Sequence, residues 1–317
     1  MNVQRYAGII VFWLNAALCA PVAAAVLALA PHGDNVRVVD VTTGNVTVLE
    51  AAGCCAVQTG SVAADVANDR VFFVANATSG AQLYTFPYGV GGTIATAAIT
   101  PNANVSHLDY DSVHARLVGF AASDDGGIEI VRIDPANGNL TVTGALGPDC
   151  CTLHSGISAY FAASDVLYAV GRRSIDSSDQ LLAFSASGGT LLNAYDLGSS
   201  RIVQLVADPG SLYALVYDDA NVTLHAAAIT FAPAFALTPI GIGASDCCFV
   251  LAGPGTIDHA NGAIVTLARS ASSFVPFTVE SFSLTSGSAT AGKALGAFGL
   301  FEDTAALFDR IFANDFE

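Results

Sequence analysis

The sequence predicts an all-β protein: a single β-propeller, most simply of six four-stranded blades, closed by pairing of N- and C-terminal strands. Three observations carry that expectation. A doublet of adjacent cysteines recurs at Cys54-Cys55, Cys150-Cys151 and Cys247-Cys248, in steps of 96 and 97 residues, and a chance doublet does not keep such a period. Between doublets the chain breaks into short β-branched and aromatic runs divided by Asn, Asp, Gly and Ser turns, which is the pattern of strands in an all-β fold. Four runs fill about 48 residues, half a cysteine period, and a four-stranded unit that cannot bury both faces alone stacks into a propeller.

Residues 1–25 read as a secretory signal peptide. Arg5 supplies a cation, Ala7 to Leu18 is apolar, and Pro21 precedes the small residues Val22-Ala23-Ala24-Ala25, where cleavage after Ala24 or Ala25 fits. The competing reading is an uncleaved anchor, because Ala7 to Ala30 is nearly all apolar and long enough to span a bilayer. Pro21 and the alanine cluster favour cleavage. Leu18 stands before Cys19 where a lipoprotein site usually has a small residue. The expected location is secreted, or the periplasm and cell envelope of a bacterium. No other spanning-length apolar stretch without turn residues follows, so no membrane span is expected after cleavage. Loss of the leader removes Trp13, Met1 and one of seven cysteines. The six that remain are expected to form disulfides in an oxidising compartment.

The propeller is assigned to 26–308. Its first unit offers Ala25 to Ala30, Val36 to Val41 and Asn45 to Leu49, and ends at Cys54-Cys55. It lacks an opening strand because the leader occupies that place; the stretch Gly296 to Leu307 is the candidate to supply it, which would also remove an open sheet edge. Later units open near Ser61, Val105, Gly156, Ile202 and Thr256. In the second, for example, Ser61 to Ala64 leads to Val71 to Val74, Gln82 to Phe86 and Thr93 to Ile99.

Charge narrows the partners. The 317 residues carry 27 Asp and Glu against 11 Lys and Arg, a net charge of −16. Lys293 is the one lysine, and no basic cluster exists. Nucleic acid and anionic membrane surfaces are repelled. The expected partner is a protein or a small molecule, and the expected state is a monomer.

Val71-Phe72-Phe73-Val74-Ala75-Asn76 followed by Leu83-Tyr84-Thr85-Phe86 resembles the repeat of extracytoplasmic YVTN-type propellers. Val39 to Asn45 and Ile133 to Asn139 resemble the strand–turn–strand of the same broad class. Residues 309–317, Asp309 to Glu317, resemble a short tail on exported proteins of some gammaproteobacteria, with Asp315 where those tails usually have Gly. The resemblance implies architecture rather than one activity. Lactonase-type propellers in this class use a Glu, Asn and Asp cluster around one metal. Here the glutamates are Glu50, Glu129, Glu280, Glu302 and Glu317, and none opens a blade.

The doublets Cys54, Cys55, Cys150, Cys151, Cys247 and Cys248 fall in loops leading into the first strand of a blade, on one face by pseudo-symmetry. Three readings stand. Each pair forms a vicinal disulfide, although adjacent Cα atoms only about 3.8 Å apart lie below the usual span. Alternatively the loops cross-link to one another, or six thiolates hold copper(I) or zinc. An oxidising compartment favours the first. A vicinal bond would be either a ligand-facing knuckle or, preferably, a stiffener of the loop.

Asp65-Val66-Ala67-Asn68 and Asp258-His259-Ala260-Asn261 occupy matching positions, and Asp109-Tyr110-Asp111 nearly so. Carboxylates there could ring a channel and bind Ca²⁺, the one cofactor weighed, but Asp and Asn also make ordinary turns, and that reading is preferred. His154, three residues after Cys151, could join a Cys or carboxylate site. The nucleophile elbow, phosphate loop and zinc-protease signatures are absent, so no catalytic residue is assigned. The sequence therefore points to a binding scaffold with the Cys doublets on its ligand face; a metal-dependent hydrolase or lactonase at the channel is the alternative.

Overall fold

In the computed structural model the described residues are 26–309 apart from 33–34, 41–45, 52–55, 69, 88–92, 177, 209, 219–222, 242–243, 246–248, 251–255, 259–260, 270–276 and 295–305. The apolar runs form β-strands and the Asn, Asp, Gly and Ser clusters turn between them. The first meander is β1 (Val26–His32), β2 (Asn35–Asp40) and β3 (Val46–Ala51). The next sheet is β4 (Ala56–Asp65), β5 (Arg70–Ala77), β6 (Gly80–Pro87) and β7 (Ala95–Ala98). It is followed by β8 (Val105–Asp111), β9 (Arg116–Ala122), β10 (Ile128–Ile133) and β11 (Leu140–Leu146). Then come β12 (Cys151–Phe161), β13 (Val166–Arg173), β14 (Gln180–Ser185) and β15 (Thr190–Asp196). The fifth group is β16 (Arg201–Asp208), β17 (Ser211–Asp218), β18 (Thr223–Thr230) and β19 (Ala236–Pro239), with β20 (Ala244–Ser245) also on β18. In the last, β21 (Phe249–Val250) and β22 (Thr256–Asp258) both pair β23 (Ala263–Arg269), which leads to β24 (Phe277–Ser283) and β25 (Ala289–Ala294).

These are the antiparallel blades of a β-propeller. Five blades are made from contiguous chain, where the sequence predicts six in all. The remaining sheet is composite: β26 (Ala306–Asp309) returns to β1, placing Ala306 against Leu29 and Asp309 against Val26. Among the described residues β1 has no opening strand before it, and β26 stands in that place. The innermost strands β4, β8, β12, β16, β22 and β26 touch in that order, and β26 touches β4 again.

Alternation along a blade strand sorts side chains between two neighbours rather than between core and water. Leu117 packs with Phe72, Val74 and Leu83 of the preceding blade, whereas Val118 and Phe120 pack with Leu167, Leu182 and Phe184 of the following one. One blade on, Tyr168, Val170 and Leu181 turn to Leu212 and Ala214. Leu215 and Leu224 then turn to Ile257, Ile264 and Phe282. A sheet covered on both faces reads as a continuous apolar run. Thus Val71, Phe72, Phe73, Val74 and Ala75 are all buried, while the outermost β7 is mostly exposed.

Candidate functional site

In the blades made from contiguous chain the innermost strand ends at a turn into the second strand; on β12 the opposite end carries Cys150–Cys151. The turn face is built of clasps. Asp65, 1% exposed, closes β4; Asn68 Nδ2 donates to both its oxygens at 3.1 and 2.8 Å, and Arg70 Nε donates at 3.2 Å. Asp258 is held likewise by the Asn261 backbone N–H at 3.1 Å and Nδ2 at 2.6 Å. These donors take up the carboxylates as turn chemistry requires. In the third unit the position that pairs as Asp65 does is Asp111, not Asp109: Asp65 opposes Arg70, and Asp111 opposes Arg116.

Asp111 also reaches across a blade boundary. His114 Nδ1 lies 2.7 Å from Oδ2, Arg116 Nε donates at 2.8 Å, and the Tyr160 hydroxyl of the next blade approaches at 3.1 Å. Tyr160 also lies 2.9 Å from Asp165, which Arg116 Nη2 meets at 3.1 Å. Burial works against the charge on Asp111, but hydrogen bonds from His114, Arg116 and Tyr160 outweigh it and hold the carboxyl below its usual range. The Tyr110 hydroxyl meets Asp65 across the boundary one blade earlier.

The doublet face is different. Cys150 and Cys151 form a vicinal disulfide. Cys151 opens β12 opposite Arg173, is 8% exposed, and packs with Val118, Phe120 and Ile130 of the preceding blade. This disulfide sits in the seam between blades, a position that fits a loop stiffener better than an exposed knuckle. Cys54, Cys55, Cys247 and Cys248 lie outside the described residues.

After each doublet the innermost strand leaves its ladder and rejoins it. The break falls between Val57 and Val62 on β4 and between Leu153 and Ser158 on β12. It is matched by the gap between Val250 of β21 and Thr256 of β22. A glycine stands five residues after the second cysteine of each doublet: Gly60, Gly156 and Gly253. Gly60 and Gly156 adopt φ of 76° and 72°, in the left-handed region open to glycine. A Cβ on Gly60 would lie 2.9 Å from the Gly156 Cα and 3.2 Å from the His107 nitrogen. Two non-adjacent blades thus touch at the axis through glycine, with β8 between them.

His107 sits in the break of β8, between Ser106 and Asp109, and is 3% exposed. Its Nε2 is 2.7 Å from the His154 carbonyl oxygen, so Nε2–H donates there and Nδ1 is left as an acceptor; Nδ1 is buried without a partner. Burial, with a further push from His154, lowers its pKa against the raising effect of that backbone hydrogen bond. Asp109 accepts the Tyr160 backbone N–H, while its Oδ2 is closed from solvent and unpartnered. Burial pushes its carboxyl up to about 7. His154 is the exposed member at 44%; its Nε2 is 3.1 Å from Asp179, which Arg172 also meets at 3.1 Å. Burial raises the Asp179 carboxyl, but His154 and Arg172 together hold it below the usual range.

The structure therefore places His154 and the Cys150–Cys151 disulfide toward the start of β12, sets Asp109 against the Tyr160 amide near the strand's other end, and leaves Asp65 and Asp258 in separate turns. No group of three or more His, Cys, Asp or Glu side chains arranged for a metal ion occurs among the described residues. In sequence His107 is one of several scattered histidines without metal-ligand spacing, and Gly60 and Gly156 are only turn residues at the start of a unit. The repeated glycine after each doublet is the signal that finds Gly60 and Gly156; none in the sequence finds His107.

No protein-family model matches the chain, and no curated protein matches it in sequence. Solved structures share its fold. A TolB-like protein from Agrobacterium tumefaciens superposes with TM-score 0.59 at 9% identity, covering 90% of this chain and 98% of the other. TolB from Acinetobacter baumannii gives 0.56 at 11%, covering 90% of this chain and 66% of its own. An oligogalacturonate lyase from Vibrio parahaemolyticus gives 0.51 at 10%, covering 81% and 70%. At such identities the likeness is one of β-propeller architecture.

Proposed function

We propose that the protein is an exported, monomeric binding scaffold: a six-bladed ring closed by its terminal strands, taking a small molecule at the axis on the face of the cysteine doublets. One observation carries the reading. The breaks in β4, β8 and β12 converge on the axis and place His107 there, with a buried polar atom that no protein group satisfies. Buried polar groups are normally paired, and an exception marks a strained or functional site. The Cys150–Cys151 disulfide then anchors the outer end of the β12 loop. The Asp clasps on the opposite face stabilise the blade boundaries. Export and a bacterial envelope location rest on the reading of residues 1–25 and of the C-terminal tail. The YVTN-type resemblance rests on the repeat residues.

The test is backbone chemical-shift mapping after a thermal-shift screen of small metabolites. Hits are expected to perturb Gly60, His107, His154 and Gly156 together. Perturbations confined to outer strands or to the Asp65 and Asp258 turns would remove the axial site. The hydrolase alternative predicts instead a lactone-cleaving activity that a chelator abolishes.

A further inference from the structure

The axial site has a chemical bias, and the following inference rests on the binding-scaffold reading above. His107 has φ of 55°, a backbone region that residues other than glycine rarely occupy. It is held there by the Gly60 and Gly156 approach on one side and by Phe120, edge-on at 5.7 Å, on the other. Sustained departures of this kind persist only where the surroundings over-determine them, and they cluster at ligand sites. Both side chains also lean from β8 toward β12: His107 toward the His154 carbonyl and Asp109 toward the Tyr160 amide.

What they present there is acceptors. Nδ1 of His107 is an acceptor because Nε2 carries the proton, and Oδ2 of Asp109 is an acceptor when ionised. Neither meets a donor among the described residues. The nearby cations are engaged elsewhere: Arg70 with Asp65, Arg116 with Asp111 and Asp165, Arg172 with Asp179. A carboxylate taken out of water, with no ion pair among the described residues, favours a positively charged donor over a neutral one. The net charge of −16 adds a long-range field of the same sign.

We propose that the axial floor is a receptor for the –NH₃⁺ head of a protonated primary amine, with His107 Nδ1 and the Asp109 carboxylate as its acceptors. An ammonium head has three donors and no acceptor. It therefore has a donor for each of the two buried acceptors, and its charge offsets that of Asp109.

Methylammonium chloride tests this against tetramethylammonium chloride, which has the charge but no N–H. At equal ionic strength, methylammonium is expected to shift the His107 ring and Gly156 amide resonances to saturation, and tetramethylammonium to leave them unmoved. Asp109→Asn is expected to weaken the response at least about tenfold, the scale of a lost charge-assisted hydrogen bond. His107→Asn, which keeps a side chain tolerant of the left-handed backbone, does the same and serves if the first variant misfolds. An equal response to both salts, no response to either, or Zn²⁺ binding that displaces the amine would each overturn the amine assignment. If a neutral or anionic ligand shifts the same residues, the axial site stands and only the amine assignment falls. If every ligand found maps elsewhere, both fall.

Discussion

Asp109 ties the axial site to a measurable property of the whole fold. Its carboxyl is pushed from 3.8 to about 7 by burial, against a lowering hydrogen bond from the Tyr160 amide. Below the unfolded value both states are protonated and the group has no effect on stability. Between the two values the native state keeps a proton that the unfolded chain releases, so stability falls as pH rises. The loss is complete once pH passes the folded value. A shift of about 3 units at 1.36 kcal/mol each gives roughly 4 kcal/mol, an upper figure because Asp109 as a whole residue is only half-buried. Asp109→Asn keeps an oxygen to accept the Tyr160 amide and removes the titration. Urea unfolding from pH 4.5 to 8 should show the wild type losing stability relative to the variant by about 3–4 kcal/mol, with the variant the more stable at pH 8. His107 slopes the opposite way. Its lowered pKa costs stability as pH falls through the imidazole range, but it is common to both proteins, and the difference curve removes most of it. A flat difference curve would show that Asp109 is solvated and that the axial floor is not the dry, cation-deficient place described.

Other outcomes follow from the same geometry. Tyr160→Phe removes the hydroxyl shared by Asp111 and Asp165 across a blade boundary and should cost about 1–3 kcal/mol in chemical denaturation. Asp111→Ala leaves Arg116 without its buried partner and should cost about 3–5 kcal/mol; a loss under 1 kcal/mol in both would remove the clasp from the account. Gly60→Ala meets Gly156 and needs a left-handed backbone. It should lower stability by about 1–3 kcal/mol and move the resonances of His107, which a substitution at Gly126, open on every side, should not. Non-reducing tryptic mapping should recover the peptide from Ile133 to Arg172 alone and two hydrogens light, since Cys150 bonds Cys151; recovery linked to another peptide would overturn that pairing.

The propeller was legible because its period is written twice, in the doublets and in the four-run units. Both survive in a single sequence, since turn residues and β-branched runs act locally. The axis was much less legible. His107 reads as one scattered histidine among six, because what makes it unusual is long-range: a carbonyl 47 residues away and two glycines from different blades. The slip from Asp111 to Asp109 has a local cause. The break in β8 inserts residues into the innermost strand, so counting from the blade start reaches the wrong carboxylate. Asp65 and Asp258 looked alike in sequence and are alike in structure, because an Asp that closes a turn with the Asn three residues on needs only its own neighbourhood. The left- and right-facing alternation within each blade could not be read at all. Leu117 and Val118 are both apolar and both buried, and only the ring decides which neighbour each one meets.

The composite sheet has a consequence for how the ring is made. Pairing Val26 with Asp309 joins stretches from opposite ends of the described chain. Loop closure over long separations is slow, although its equilibrium cost rises by only about 0.6 kcal/mol per doubling of length. Until β26 arrives, β1 is a bare edge. During refolding at high concentration, β26 of a second molecule can fill that edge as readily as its own, giving an exchanged dimer in which each ring is completed by the other chain. Dilute refolding favours the closed single ring, so the ratio of the two species reports directly on the competition between self-closure and encounter.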